Sequence, residues 1–356
     1  MKKRTFHFSG KPVPYYFDAS FDALKKLVPV ESAVIITDEN VFEAHKKKFK
    51  GWSTIVLKPG EQYKVQQTVD VIIDRLIEFG ADRQTTLIGV GGGVITDITG
   101  YVASIYMRGI AVGFVPTSLL AMVDASLGGK NGIDFNGAKN QIGTIQNPIA
   151  IFILPEFLET LTTEQWKCGL AEMFKHGLIQ HPEHWKKLQK LSNFTIDDLL
   201  ELIQESMLIK LQITELDPLE KNERKALNFG HTIGHAMESY SLQNDDLVDL
   251  LHGEAVAIGI LLESHLSFQK KYLIINKNLR VDTKDNILLV SREIEQDNPI
   301  YKVILDCFDN NGKLAYKDLL TILLEKPVFA KTSKAVETIK DICLKSKVFF
   351  NLYLLN

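Results

Sequence analysis

Residues 86–97 read TLIGVGGGVITD, and this stretch decides the fold of the first half of the chain. An apolar run, Thr86 to Val90, ends in three glycines, and the residues from Val94 to Tyr106 have the apolar spacing of a helix. Glycines let a backbone approach a pyrophosphate, and a helix N-terminus offers N–H donors and the positive end of its dipole. The stretch therefore predicts a phosphate-binding turn. The spacing differs from the GxGxxG fingerprint, so a turn that only packs strand on helix remains the alternative.

The surrounding sequence repeats this strand-and-helix pattern. Buried-strand runs occur at 33–37, 54–57 and 111–115, and residues 65–79 have helical apolar spacing that ends at Gly80. Alternating strands and helices are typical of a parallel sheet covered by helices. We predict an α/β dinucleotide-binding (Rossmann-like) domain over residues 1–155.

The pattern changes after Pro155. Amphipathic stretches follow one another with little strand signal, at 156–180, 183–192, 196–217, 222–240 and 252–272. We predict an all-α second domain over residues 156–356, with helices also in the Lys-rich last 80 residues.

Composition excludes several classes of protein. The chain has 356 residues, 45% of them hydrophobic, and a formal net charge of -3, which gives no broad basic surface for nucleic acid. Three scattered cysteines without a CxxC spacing argue against a disulfide framework and a thiolate zinc site. The N-terminus lacks the apolar segment of a signal peptide, and no window is apolar over the roughly 18 residues that a spanning helix needs. We therefore expect a cytoplasmic enzyme with a small-molecule partner.

Three histidines and a glutamate form a candidate metal-ligand set. His231 and His235 are four residues apart on one helical face, His252 begins another predicted helix, and Glu172 lies on an otherwise apolar helix face. Two imidazoles and a carboxylate with an open position make a catalytic zinc-type site. Spacing alone leaves open which three of the four bind the ion, and His176 is a further candidate. A single histidine on an apolar face would more often be a core residue.

Polar residues that follow the predicted strands are candidate cofactor ligands. Asp38 and Asn40 follow an early strand, where open α/β sheets bind ligands, and a carboxylate there suits ribose hydroxyls. Glu61 and Lys64 follow a Pro-Gly pair and could form a polar clamp. Ordinary turn residues are the alternative for both pairs.

A long loop rich in Gly, Lys and Asn is predicted from Pro116 to Asn140. Its backbone N–H groups and lysines could bind phosphate or carboxylate oxygens. Other cations lie near these segments, and a solvated surface group is normally the better interpretation of each: Arg108, Lys175, Lys210 and Arg224. Lys175 is the exception, because it shares its apolar helix with Glu172. A nucleotide-binding turn and a Lewis-acid metal in one chain predict redox chemistry at a carbon that bears a hydroxyl.

Several motifs in fixed order identify a family that this chain resembles. They are GGGVITD (91–97), YMRGI (106–110), VPTSLLAMVDASLGGKNGI (115–133), GAKNQIG (137–143), GLAEMFKHGLI (169–179), LNFGHTIGHAME (227–238) and LHGEAVAIG (251–259). The chain is similar to the 3-dehydroquinate synthases over about residues 30–270.

The resemblance implies an active site in the cleft between the two domains, a homodimer and the following residue roles. NAD would be held by Asp38, Asn40, Glu61, Lys64, Gly92, Gly93, Asp97, Thr117, Ser118, Asp124, Lys139, Phe157 and Thr160. Zn²⁺ or Co²⁺ would be held by Glu172, His231 and His252, so that His235 faces the substrate. The substrate would also meet Lys130, Asn140, Lys175, Lys210, Arg224, Asn228 and Arg108, the last lent by the neighbouring subunit.

The implied reaction converts 3-deoxy-D-arabino-heptulosonate 7-phosphate to 3-dehydroquinate and phosphate, by oxidation at C5, phosphate elimination, reduction and an aldol closure. The chain departs from the family at Thr96, at Ser118, at Glu164-Gln165, and near its C-terminus, where the phosphate-contacting lysine of an Asp-Lys-Lys-Asn segment has no secure counterpart. A sister sugar-phosphate cyclase, a metal-dependent polyol dehydrogenase and an inactive homologue are the alternatives.

Overall fold

The structure is a computed structural model that describes residues 2–8, 10–17, 19–26, 28–136, 138–188, 196–242, 250–269, 281–282 and 289–290. The chain divides into two compact units. Unit 1 contains Met1–Gly169 and Lys210–Pro218, and unit 2 contains Leu170–Ile209 and Leu219–Asn356. The division after residue 155, drawn from the change in sequence pattern, stays a prediction.

Unit 1 is built on a seven-stranded sheet. Its strands are β1 (Lys2–Phe8), β2 (Lys11–Phe17), β3 (Ala33–Asp38), β4 (Ser53–Leu57), β5 (Thr86–Gly91), β6 (Ala111–Pro116) and β9 (Ala150–Ile153), in the order β1-β2-β9-β6-β5-β3-β4. Only the β1–β2 pair is antiparallel, and each of the other neighbouring pairs is parallel. The Rossmann-like α/β prediction is confirmed.

Helices α1 (Glu39–Ala44), α2 (Gln66–Glu78) and α3 (Gly93–Ile105) follow β3, β4 and β5 along the chain. The four strands and two longer helices expected from sequence are all present within one or two residues. β3 and β5 are buried at every position, as expected for inner strands of a parallel sheet covered on both faces. A core of aromatic and aliphatic side chains, including Phe21, Ile35 and Phe152, packs against the sheet.

The prediction of one long loop from Pro116 to Asn140 is wrong in part. The segment contains one turn of π-helix, Ala121–Ala125, and then strand β7 (Lys130–Phe135), which pairs antiparallel with β8 (Ala138–Ile145). Glycines that looked like loop formers instead allow close pairing, since a Cβ on Gly132 would lie 2.8 Å from the Ile142 carbonyl oxygen.

Unit 2 is helical where it is described, apart from one short strand pair. Its helices are α4 (Thr163–Gln180), which begins in unit 1, α5 (Pro182–Leu188), α6 (Ile196–Leu216), which crosses into unit 1, α7 (His231–Leu242) and α8 (His252–Gln269). The predicted stretch 222–240 is not one helix. It begins with the 3₁₀ turn Glu223–Asn228, and Gly230, which has a left-handed φ of +80°, separates this turn from α7. Within the described ranges, no helix combines the length and apolar character that a membrane-spanning segment requires.

Most of the last 80 residues lie outside the described residues, including the candidate counterparts of the missing lysine near residues 297–313. The described pairs β10 (Val281–Asp282) and β11 (Leu289–Val290) form antiparallel strands, so the helical prediction is wrong for these four residues.

Candidate functional sites

The predicted nucleotide site lies at the carboxyl edge of the unit 1 sheet. β3, β5 and β6 are adjacent and parallel, so Asp38, Gly91 and Pro116 end their strands along the same edge. The Thr117 amide donates to the Gly91 carbonyl at 2.9 Å, which joins the glycine turn to the start of the next loop. This is the edge at which open α/β sheets bind ligands.

The glycine turn opens α3 without a side-chain cap. The N-cap residue of α3 is Gly92, and no side chain accepts a hydrogen bond from the first N–H groups of the helix. These N–H groups therefore need other partners. A Cβ on Gly92 would sit at an ordinary 3.5 Å from Ser118 Oγ, whereas one on Gly93 would lie a tight 3.2 Å from Ala125 Cβ. Gly93 thus serves close packing, whereas a side chain at Gly92 would meet no tight protein contact, and the cofactor role of Gly92 stays a prediction.

Asp38 has a structural role in addition to its predicted cofactor role. Its carboxylate accepts from the Val41 amide at 3.0 Å and caps α1. Burial raises the pKa of Asp38 against the lowering effect of that bond. The neighbouring Asn40 is exposed.

A buried lysine links two predicted site residues in unit 1. Lys64 is 4% exposed, and its Nζ donates to Asp97 Oδ2 at 2.5 Å and to Asn140 Oδ1 at 2.7 Å. Burial lowers the pKa of Lys64, but the Asp97 and Glu61 carboxylates outweigh it and hold that pKa above its ordinary value, so the side chain is an ammonium. These three residues are far apart in sequence, and no local pattern predicted their contact.

An ion pair between Glu61 and Lys139 joins the same two parts of the chain. Lys139 Nζ donates to Glu61 Oε1 at 2.9 Å, so both predicted members of the Glu61–Lys64 clamp contact the first residues of β8. Glu61 and Lys64 thus both contact protein side chains, and their predicted role in holding the cofactor stays a prediction.

The remaining predicted cofactor and substrate residues of unit 1 are dispersed. The Phe157 side chain lies in the hydrophobic core, and Thr160 is exposed and bonded to His45 at 3.1 Å. Lys210 Nζ donates to the Asp124 carbonyl oxygen at 2.7 Å and forms an ion pair with Asp124 Oδ1 at 2.8 Å. Arg108 and Lys130 are exposed, and Arg108 has a left-handed φ of +69°.

In unit 2 the predicted metal ligands converge. Glu172 of α4 is completely buried, and its Oε1 lies 3.4 Å from His231 Nε2 and 3.5 Å from His252 Nε2. His231, His235 and His252 also form a group whose ligand atoms lie within 4.8 Å of one another. Four separate positions, predicted from residue type and spacing, therefore come together. The distances fit a metal held by Glu172, His231 and His252 and also one held by the three histidines. The expectation that His235 faces the substrate therefore stays a prediction.

Glycines bring the two histidine-bearing helices together. A Cβ on Gly259 of α8 would lie 1.9 Å from the Gly230 carbonyl oxygen, and one on Gly234 of α7 would lie 2.9 Å from the Ala255 carbonyl oxygen. Only glycine lets these backbones approach so closely. The glycine-rich context of the histidines is thus explained by packing.

Second partners orient the imidazoles. His231 Nδ1 lies 3.2 Å from the Phe229 carbonyl oxygen, and His252 Nδ1 lies 3.4 Å from Glu238 Oε2. Metal-binding histidines commonly donate their other ring N–H to such oxygens. Sequence reasoning missed Glu238 as a partner, although its position seven residues after His231 places it on the same helical face.

The buried Glu172 carboxylate influences the ionisation of its neighbours in this cluster. Burial and the Lys175 charge keep the pKa of His231 well below its ordinary value, which leaves a neutral imidazole with a lone pair. Burial lowers the pKa of His252, but hydrogen bonds to Glu172 and Glu238 outweigh it and raise the pKa to about 9. Lys175 forms an ion pair with Glu172. Cations thus surround the buried carboxylate on several sides.

Two other predicted residues of unit 2 have protein partners. Asn228 Nδ2 donates to Glu220 Oε1 at 2.7 Å, and Arg224 is buried at 2% exposure. His176, the further ligand candidate, has its Nδ1 2.8 Å from Ser206 Oγ of α6. That bond orients the His176 ring, and its role as a ligand stays a prediction.

Comparisons with known proteins agree with the geometry of both units. The model described as 3-dehydroquinate synthase N-terminal matches residues 54–168, and the one described as 3-dehydroquinate synthase C-terminal matches residues 169–294. A 3-dehydroquinate synthase of Dictyoglomus turgidum is 34% identical over 353 residues, covering 96% of this chain and 95% of that protein.

Solved structures of cyclases are similar in fold. A 2-epi-5-epi-valiolone synthase of Streptomyces hygroscopicus with NAD⁺ and Zn²⁺ bound is 28% identical, with a TM-score of 0.66 over 72% of this chain and 74% of that one. A 2-deoxy-scyllo-inosose synthase complexed with carbaglucose-6-phosphate, NAD⁺ and Co²⁺ is 25% identical, with a TM-score of 0.64 over 76% of this chain and 78% of that one. The expected fold class, an α/β nucleotide-binding domain with a helical partner domain, is confirmed.

Proposed function

This chain belongs to the 3-dehydroquinate synthase family, and we propose that it converts 3-deoxy-D-arabino-heptulosonate 7-phosphate to 3-dehydroquinate and phosphate. The reaction class is a phosphate-eliminating carbon–oxygen lyase that closes a carbocycle. The observation that carries the proposal is the convergence of Glu172, His231 and His252, at 3.4 and 3.5 Å from the shared carboxylate oxygen.

The donor set of unit 2 fits a divalent metal. Two imidazole nitrogens and one carboxylate are ligands that Zn²⁺ and Co²⁺ accept, and second partners hold both rings. Zn²⁺ or Co²⁺ held by Glu172, His231 and His252 would act as a Lewis acid on the substrate hydroxyl oxygens.

The carboxyl edge of unit 1 fits NAD. Asp38 for ribose, the open turn at Gly92, and Thr117 and Ser118 at the end of β6 follow the pattern of dinucleotide sites. NAD would take a hydride from C5 of the substrate and return it, so that no net oxidation results.

The chain's own cations suit the charged ends of the substrate. We assign Lys210 and Arg224 to the carboxylate, and Lys130, Asn140 and the partner's Arg108 to the phosphate. Lys175, which is buried and forms an ion pair with Glu172, and His235 would hold or move protons near the metal. The family resemblance implies each of these substrate-binding roles.

One assay tests the function. Protein loaded with Zn²⁺ and a substoichiometric amount of NAD⁺ is incubated with the heptulosonate phosphate, and free phosphate and NADH absorbance are followed together. The proposal expects many equivalents of phosphate per NAD⁺ with no net NADH. Accumulating NADH would instead indicate a polyol dehydrogenase, and absence of product with metal and NAD bound would contradict the proposal.

A sister cyclase is distinguished by substrate choice. The two solved cyclases at 25% and 28% identity are named for other products, while the 34% identical relative over the whole chain is a 3-dehydroquinate synthase. We therefore expect turnover with the heptulosonate phosphate and none with glucose 6-phosphate, which lacks a carboxylate for Lys210 and Arg224.

We also propose a cytoplasmic homodimer. Arg108 is exposed in a turn with three consecutive left-handed residues, Met107, Arg108 and Gly109, and Ile105 and Met107 are exposed apolar neighbours. Light scattering would give the mass of two chains. Mixing an inactive Arg108→Ala protein with an inactive Glu172→Gln protein should restore part of the activity if each subunit lends its arginine to the other.

A further inference from the structure

We propose that Lys64 is a positioning residue that fixes the orientation of the Asn140 amide, so that Asn140 offers its NH₂ group to a phosphate oxygen of the substrate. The inference rests on the proposed function and deepens it. The resemblance assigns Lys64 to NAD, and its contacts in the structure indicate a second role beside that one.

The Lys64 ammonium is committed to protein oxygens. It is buried, and it donates to Asp97 Oδ2 at 2.5 Å and to Asn140 Oδ1 at 2.7 Å. Asp97 balances its charge, with 18% of the carboxylate side chain exposed against 5% for Lys64. A cation held in this way acts most directly on the residues that it contacts.

The chemistry of the contact settles which end of the amide faces Lys64. An ammonium can only donate hydrogen bonds, so its partner on Asn140 must be the carbonyl oxygen. The two N–H donors of Nδ2 are then directed away from Lys64. Without the ammonium, either end of an asparagine amide could occupy that position.

The backbone around Asn140 is fixed as well. Its amide donates to Asp134 Oδ1 at 2.8 Å, its φ is +52°, and the Asp134 amide donates to the Lys64 carbonyl at 2.8 Å. The Lys139–Glu61 pair adds another link between the same two segments. Because Asn140 is exposed, its NH₂ group remains accessible on a rigid support.

A fixed donor favours groups that only accept. Phosphate oxygens accept hydrogen bonds and carry charge, so a preoriented NH₂ binds them without a cost for turning the amide. The inference predicts that Lys64 affects phosphate affinity through Asn140, whatever its effect on NAD affinity.

A double-mutant cycle tests this coupling. Lys64→Met, Asn140→Ala and the double variant are compared with the unmodified protein, loaded with Zn²⁺ and NAD⁺. The dissociation constant of inorganic phosphate is measured by calorimetry, alongside KM and kcat for the substrate. Each single variant should weaken phosphate binding and raise KM about tenfold, with a smaller change in kcat. The double variant should be no weaker than Asn140→Ala alone within about twofold.

Two further variants keep the test decisive if Lys64→Met folds poorly. Asn140→Asp retains the Lys64 contact but presents carboxylate oxygens outward, so it should bind phosphate more weakly than Asn140→Ala does. Lys187→Met is the control, because Lys187 pairs with Glu201 and Glu205 on the α6 surface of unit 2 and should leave phosphate binding unchanged.

The inference is overturned if the single effects multiply in the double variant, if Asn140→Asp binds phosphate as well as Asn140→Ala, or if Lys64→Met weakens NAD⁺ and not phosphate. These outcomes are separate from the proposed function. Unmodified protein that binds phosphate with the coupling described but releases none from the substrate would contradict the proposed function alone.

Discussion

The two polar clusters, Lys64–Asp97–Asn140 in unit 1 and Glu172–His231–His252 in unit 2, each contain one buried charged side chain, Lys64 or Glu172, but differ in how that charge is balanced. In the first, one ammonium faces one carboxylate and one amide oxygen, so charge and hydrogen bonds balance inside the protein. In the second, two imidazoles converge on one carboxylate oxygen, and His231 is held neutral with its lone pair available. A balanced network positions other residues, whereas a carboxylate shared by two imidazoles suits a metal ion.

The largest effect is expected when the second cluster loses its carboxylate. Glu172→Gln should lower metal affinity by more than about 100-fold and abolish phosphate release, because ligand loss exceeds the cost of losing an outer partner. It should also destabilise the protein by about 3 kcal/mol, since the carboxylate balances Lys175. Metal content by mass spectrometry and thermal unfolding measure the two effects separately.

Glu201→Gln is the matched control, because this α6 carboxylate is 80% exposed and pairs only at 3.4 Å with Lys187. It should retain both metal and activity. A Glu172→Gln protein that still holds one metal ion per chain would remove the distinction between the two clusters.

Packing by glycine supports the second cluster and gives the next largest effect. Gly259→Ala should cost about 3 kcal/mol of unfolding free energy and weaken the metal site, because its Cβ would meet the Gly230 carbonyl oxygen. Gly113→Ala is the control, since a Cβ on that residue of β6 meets the Ala150 carbonyl at an ordinary 3.5 Å. Equal stability of the two variants in urea unfolding would show that α7 and α8 do not need the close approach.

Much of this arrangement could be predicted from sequence. Periodicity predicted the strands β3 to β6 and the helices α2 and α3. Residue type and spacing predicted four candidate metal ligands, Glu172, His231, His235 and His252. Strands β1, β2 and β9 were missed, because prolines in KPVPYYF and the short run at 150–153 weaken the strand pattern. The β7–β8 hairpin was taken for a loop because its glycines resemble turn residues.

The polar contacts were the least predictable part. Lys64 meets Asp97 and Asn140 across 33 and 76 residues, and only the register of the sheet and hairpin brings them together. The break at Gly230 was hidden within an amphipathic stretch, since a positive φ leaves no mark on apolar spacing. Long-range charge partners and backbone conformation therefore needed the structure.

His184, which lies outside the metal cluster, is expected to make the stability of the protein depend on pH. Burial lowers the pKa of His184 to about 4 despite its hydrogen bond to Glu205. The unfolded state then binds more protons than the folded state below the ordinary value of 6.5, so stability is complete above that pH and declines as pH falls toward 4.

His184→Gln, which does not titrate, should flatten this decline by about 2 kcal/mol in urea unfolding. Activity at neutral pH should remain, because His184 contacts none of the proposed ligands among the described residues. Equal pH dependence of the variant and the unmodified protein would assign the acid loss to other groups.

The smallest effect concerns the edge of the unit 1 sheet. Asp38→Ala should lose the α1 cap and about 1 kcal/mol of stability, whereas Asp38→Asn should keep the cap. Both should weaken NAD⁺ binding if the carboxylate contacts the ribose, which nucleotide titration by fluorescence would measure. Unchanged NAD⁺ affinity in both variants would leave Asp38 with a purely structural role.

The most direct test of the metal centre uses Co²⁺, whose visible absorption reports its ligands. Protein depleted of metal and titrated with Co²⁺ should take up one ion per chain, with a spectrum that changes in Glu172→Gln, His231→Ala and His252→Ala and is retained in His235→Ala. A spectrum that survives loss of Glu172, or that depends on His235 in place of His252, would contradict the assignment of these three residues as the ligands.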